Sequence, residues 1–182
     1  VPVFISTEAV FDGQKGDYVE TDTASPVLTY ASQKVQIERY LQQSDRDFLI
    51  VRLGRVFGSC SSDGTLPTKW LGQIERDENI RCARDQYFTP VHVSEVVEGL
   101  IRLIQLYRQG IYHLCGPDPT SRTDMLRSLI YHYQTYRTYL GKVIECRLTD
   151  FPVLEERPAN VTMKSDKFVQ STGMELKGID AW

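Results

Sequence analysis

The chain has 182 residues, 41% hydrophobic and 25% charged, which is enough for one globular domain with its own core and far from the composition of a disordered segment. A net charge of −3 gives no electrostatic footprint for nucleic acid or an anionic membrane, and no apolar run approaches the roughly 18 residues of a membrane span. The opening "VPVFIST" has neither the basic flank nor the long apolar centre of a signal peptide, so a cytoplasmic protein is expected, with no nucleic-acid or membrane partner.

Strand and helix signals alternate along the chain. "PVFIS" is a short apolar run of strand type, and "FDGQKGD" after it is turn material. "SPVLTYASQKVQIERYLQQ" reads as a helix with Pro26 near its start and Val35, Ile37, Tyr40 and Leu41 as its apolar positions. "DFLIVRLGRVFG" is rich in β-branched residues and ends in glycine, as a buried strand does. Strand, helix and strand in this order form one crossover unit of a parallel sheet.

The polar loop "SCSSDGTLPTKW" follows, then a helix from about 67 to 76, and "NIRCARD" as a short strand. "FTPVHVSEVVEGLIRLIQLY" combines an extended piece with a helix whose Val93, Val96, Val97, Leu100, Ile101 and Ile104 make an apolar stripe, which is expected to face a core. "GIYHLCG" is another strand. A helix is expected from Thr123 to about Tyr139, with Asp124 favouring its N-terminal dipole, and "KVIECRL" is a last strand. Cys60, Cys82, Cys115 and Cys146 are far apart, without CxxC pairs or histidines at ligand spacing, so they are expected to be buried thiols and no metal site is expected.

One pair carries chemistry. Tyr30 and Lys34, in "YASQK", stand four residues apart on a helix and therefore share a face. A tyrosine ordinarily titrates near pH 10, and a neighbouring ammonium stabilises its phenolate and brings proton transfer within reach of neutral pH. A carbonyl that accepts hydride becomes an alkoxide and needs a proton, which such a tyrosine can supply while a hydroxyl on a neighbouring strand end holds the oxygen. Thr7 and Ser6 are hydroxyls in that place. With ten tyrosines in the chain the bare motif has little weight, and its place between two parallel strands supplies the rest.

In this setting the sequence resembles the extended short-chain dehydrogenase/reductases, and within them the dTDP-4-dehydrorhamnose reductase, or sugar-nucleotide-binding, branch. "ISTEAVFDG" is similar to that branch's strand and catalytic Ser/Thr loop, and "YVETDTASPVLTYASQK" to its approach to the YxxxK motif. "IVRLGRVFG", "ARDQYFTPVHVSEVVEGL", "GIYHLCG" and "ERPANVTMKSDKF" are similar to later segments in family order. The fold implied is α/β, a partial Rossmann-like parallel sheet with a smaller α/β substrate-binding region. Residues 1–58 would hold the remaining dinucleotide-binding part, and residues 59–182 mainly the substrate region, with 88–108 returning to the sheet.

The activity implied is NAD(P)H-dependent reduction of a nucleotide-linked 4-keto sugar, with NADPH or NADH as hydride source. By the same resemblance Tyr30 would be the general acid, and Lys34 would lower its pKa and bond the nicotinamide ribose. Thr7 would hold the substrate carbonyl, with Ser6 as the alternative and as a cofactor contact. Arg157, before Pro158, would contact the diphosphate, for which its guanidinium fork is suited; a surface ion pair with Glu155 or Glu156 is the plainer role.

Ala9 and Arg55 stand where the rhamnose enzymes carry aromatics, at positions that touch sugar or cofactor. A related branch, the regulatory β subunit of methionine adenosyltransferase, binds a partner enzyme and is the non-catalytic alternative.

Family members begin with a strand and a glycine-rich turn that cradles the pyrophosphate, and neither "GQKG" nor "GSCSSDG" has its spacing. The chain is therefore expected to be the carboxyl-terminal part of such an enzyme. Its first strand would be an open apolar edge, covered by a homodimer or a partner chain. His92 and His113 are expected to be structural. The aromatic run 131–139 is expected to pack one side of a helix, and Asp85 and Gln86 either line the sugar site or make a turn.

Overall fold

A computed structural model describes residues 1–58, 60 and 63–181; Ser59, Ser61 and Ser62, within the predicted polar loop, and Trp182 lie outside the described residues. Three parallel strands form the central sheet in the order β1 (Val3–Thr7), β2 (Leu49–Leu53) and β7 (Gly110–Leu114). Val3 stands beside Leu49 and Leu49 beside Gly110, so the strand ends align at Thr7, Leu53 and Leu114. β1 and β7 are the edges.

Helix α1 (Thr29–Gln42) connects β1 to β2 and packs on one face of the sheet. Glu38 of α1 forms a fully buried ion pair with Arg52 of β2 at 2.7 Å, and the same guanidinium reaches His113 of β7 at 3.4 Å. Phe11 lies 5.2 Å beneath it. Burial, and after it the charge of Arg52, pushes the His113 imidazole down to about 3, so it is neutral at ordinary pH. This network lies away from the cavity described below, in agreement with a structural role for His113.

The other face is covered by α3 (Val93–Gln105) and α5 (Asp166–Thr172). Its core is formed by Leu49, Val51, Val96, Leu103, Tyr112, Leu114 and Phe168. The apolar stripe of α3 departs from expectation. Of the six expected residues Val96 and Leu100 do pack on the core, beside Gly99 and Leu103, whereas Val93, Val97, Ile101 and Ile104 are 44–52% exposed. Gly99 sets this rotation: a Cβ there would stand 3.0 Å from both Leu114 and Phe168, so only glycine lets the helix approach so closely. In α1, Val35 is buried as expected, whereas Ile37 and Tyr40 face outward.

The predicted strand "DFLIVRLGRVFG" is broken at Gly54. A Cβ at this position would lie 2.3 Å from the Thr89 carbonyl oxygen and 2.7 Å from Cys115, and the chain leaves the central sheet here. Its continuation, β3 (Arg55–Phe57), pairs with β6 (Pro90–His92). His92 ends β6 and caps α3 by accepting a bond from the Ser94 amide.

A smaller layered region completes the fold. It contains α2 (Leu66–Glu75), β4 (Ile80–Ala83), β5 (Tyr87–Phe88), β8 (Thr120–Ser121), α4 (Arg122–Tyr133) and β9 (Val143–Cys146). β4 and β9 run parallel, β5 and β8 antiparallel, and Trp70, Ile74, Ile80, Phe88, Met125 and Leu126 form the core.

Helix α4 is shorter than predicted, ending at Tyr133 rather than near Tyr139. Beyond it the aromatics separate: Tyr139 is buried and donates to the Glu78 carbonyl at 2.6 Å, and Tyr136 faces solvent. Cys82 and Cys115 are buried and Cys146 is half-buried, whereas Cys60 is exposed, so the buried-thiol expectation fails there. No helix among the described residues is long and apolar enough to cross a membrane.

Candidate active site

The site is built where the aligned strand ends meet the smaller region. β1 ends at Thr7, and Glu8–Val10 follow as one tight helical turn that Thr7 caps, its Oγ1 accepting from the Ala9 amide at 3.2 Å. That bond uses a lone pair and leaves the hydroxyl proton free to donate elsewhere. Tyr30, in the first turn of α1, is 55% exposed. Thr7 and Tyr30 line one cavity of about 440 Å³, together with Ala9, Arg55 and Arg157.

Lys34 lies one turn along α1. Its Nζ is 5.8 Å from the Tyr30 ring centroid and 4.8 Å from that of Phe4, and it donates to the Ile5 carbonyl at 2.9 Å. An ammonium has three protons, so two remain available. Ser6 differs: it is buried, its Oγ has no hydrogen-bond partner, and it does not line the cavity. Of the two candidate hydroxyls, Thr7 alone is on the cavity wall.

Arg157 reaches the cavity because the late segment interlocks with the first loop. The Asn160 amide donates to the Gly13 carbonyl at 3.0 Å, the Tyr18 amide to Thr162 at 2.9 Å and the Lys164 amide to Tyr18 at 2.9 Å. Gly13 has a φ of +76° and lies against Pro158, where any side chain would clash. Among the described residues Arg157 forms no ion pair with Glu155 or Glu156; Glu155 instead accepts from the amide and hydroxyl of Thr29.

Several cavity residues escaped the sequence reading. Arg122, Lys69 and Glu8 line it too; no motif marks these three, which come from α4, α2 and the tight turn, and only the folded chain brings them together. Gln86, expected at the sugar site or in a turn, is on the same wall, and its Oε1 accepts from Arg122 at 3.1 Å. Asp85, in contrast, accepts from the Leu148 amide at 2.7 Å, away from the cavity.

Glu8 is the one buried carboxyl among the described residues of the cavity wall, 2.9 Å from Arg55. Burial outweighs the arginine and pushes its carboxyl up from 4.5 to about 7. The folded value lies above the unfolded one, so the stability Glu8 contributes is complete below about pH 4.5 and is lost as pH rises through about 7. Glu8→Gln cannot ionise. Its urea midpoint is expected to fall less than that of the wild type between these pH values, a difference on the order of 3 kcal/mol. Parallel pH profiles of the two proteins would refute the assignment.

The family model described as the RmlD substrate binding domain matches residues 2–180. The chain belongs to this family. One relative, dTDP-4-dehydrorhamnose reductase of Aggregatibacter actinomycetemcomitans, is 26% identical over 181 residues, which is 94% of this chain and 60% of the relative. Another relative, methionine adenosyltransferase 2 subunit beta of Rattus norvegicus, is 21% identical over 91% of the chain and half of its own length.

The crystal structure of dTDP-4-dehydrorhamnose reductase from Bacillus anthracis in complex with NADP superposes with a TM-score of 0.88 at 18% identity, over 98% of this chain and 62% of that one. The α/β, Rossmann-type character of this RmlD-family chain is thereby established. The chain spans about three fifths of the length of the reductases it matches.

Proposed function

We propose that this chain supplies the catalytic residues and the sugar-nucleotide site of an NADPH- or NADH-dependent 4-keto-sugar nucleotide reductase. The convergence of Thr7, Tyr30 and Arg157 on one cavity, with Lys34 a turn below the tyrosine, carries this reading. Relatives named as dTDP-4-dehydrorhamnose reductases support it.

A bound reduced nicotinamide supplies hydride to the carbonyl carbon. The protein's part is the oxygen: Thr7 donates a hydrogen bond to it, and Tyr30 delivers the proton that turns the alkoxide into an alcohol. Lys34 holds the phenolate left behind, and its two unused protons fit the hydroxyls of a ribose. Ser6 is too enclosed to touch a cofactor without local movement. Arg157 would hold the diphosphate and Ala9 and Arg55 would face the sugar, as residues of the same wall.

Residues 1–58, with 88–108, serve the cofactor side in this reading, and the rest of 59–182 the substrate side. The outer edge of β1 and the outward valines and isoleucines of α3 would be covered by further strands and a helix of the same α/β sheet. Those elements would also bring the glycine turn that these 182 residues lack.

The decisive assay follows NADPH loss when the full-length protein meets a dTDP-4-keto-6-deoxy sugar. Turnover that requires both reactants is expected. A protein that binds NADPH yet reduces no keto sugar, and that co-purifies with a methionine adenosyltransferase, would replace this reading with that of a regulatory subunit.

A further inference from the structure

Resting on the nucleotide-sugar reading above, we propose that Arg122, with Arg157 and Lys69, forms an anion clamp for the ligand's diphosphate, and that Arg122 is its central donor. Four cationic side chains line the cavity, and Glu8 is the only carboxylate beside them among its described lining residues. Glu8 is already committed to Arg55. Among the described residues Lys69, Arg122 and Arg157 have no ion-pair partner.

Arg122 is held unusually firmly for a cation without a counter-charge. Its guanidinium lies 5.2 Å from the Phe151 ring and 5.8 Å from that of Trp70. Gln86 accepts from its Nη1 at 3.1 Å and from its backbone amide at 2.8 Å. The Nε is buried and has no partner. Burial, together with the nearby charges of Arg157 and Arg55, lowers the Arg122 pKa below its ordinary value.

A protein gains nothing by fixing a half-buried cation among like charges unless an anion joins them. Two guanidinium forks and an ammonium suit the charge and the oxygens of a diphosphate. The cavity volume of about 440 Å³ lies within the usual range for small-ligand sites. Arg55 is set apart from the clamp by its pairing with Glu8 at 2.9 Å.

Calorimetric titration of the 182-residue chain with inorganic pyrophosphate and with dTDP-glucose tests the clamp, with circular dichroism confirming that each variant is folded. Both probes are expected to bind. Arg122→Gln is expected to weaken both roughly tenfold to a hundredfold. Arg122→Lys keeps the charge without the fork and should lose less, and it decides the matter if the glutamine variant does not fold. Arg102→Gln removes the same charge from an exposed helical pair and should change neither affinity.

If dTDP-glucose binds equally well to the Arg122 variants, the clamp is overturned and the nucleotide-sugar reading survives. If pyrophosphate binds through Arg122 but dTDP-glucose binds no tighter, the clamp stands and the nucleotide-sugar reading falls. A folded wild-type chain that binds neither probe removes both.

Discussion

Tyr30→Phe, made in the full-length protein, is expected to lower keto-sugar turnover by about 10²- to 10⁴-fold, the usual contribution of a positioned general acid. The change removes one oxygen from a side chain already 55% exposed, so the fold has little to lose. NADPH affinity should stay within about twofold, because Lys34 is held by the Ile5 carbonyl and does not depend on the phenol for its position. Measuring kcat and the cofactor dissociation constant separately gives the answer. If turnover survives at near the wild-type rate, the proton comes from elsewhere and Tyr30 is only a wall of the cavity.

The largest loss of stability is expected from Glu38→Ala. It leaves the Arg52 guanidinium buried beside a neutral imidazole with no counter-charge, at a cost of roughly 3 to 5 kcal/mol. For a chain of this size that lowers the thermal midpoint by about 10 °C. Replacing both partners with leucine should recover most of the loss, since the pair's worth lies in mutual compensation.

The consequence extends to the proposed chemistry, because Tyr30, Lys34 and Glu38 follow at four-residue intervals along one side of α1. Glu38 ties that side of the helix to β2, together with the buried Ala31 and Val35. A single variant that melts within a degree or two of the wild type would mean that the pair is dispensable.

Local patterning made much of this legible. The strand and helix order, the crossover at α1 and the pairing of Tyr30 with Lys34 follow from periodicity and spacing, which operate within a few residues. Arg122 and Lys69 could not be found this way, since nothing near them in the chain differs from an ordinary helical cation. What sets them apart is visible only in the fold: both line the cavity without an ion-pair partner among the described residues, and Gln86 holds Arg122 in place.

The α3 stripe misled for a related reason. Apolar residues occur on more than one side of that helix, and the choice between sides was made by Gly99, where the lack of a side chain permits the closest approach. The strand predicted through Gly54 failed likewise, because the close approach that a glycine permits there is to Thr89 and Cys115, far along the chain. Glu8 combined both difficulties: its burial and its partner Arg55 are properties of the assembled wall.

The crossing of residues 157–164 over the first loop also fixes a time order. The Asp17 amide bonds the Thr162 hydroxyl at 2.7 Å across 145 positions of sequence, and the same late segment carries Arg157 to the cavity wall. Contacts of such separation form late in folding, after local helices and the β1–β2 crossover. On a ribosome, the strand that bears Thr7 emerges well before residues 157–164, so its cavity stays unformed until that later segment is synthesised. A nascent chain stalled before residue 157 would display Tyr30 with no wall opposite it, and so has no pocket in which a ligand could engage it early.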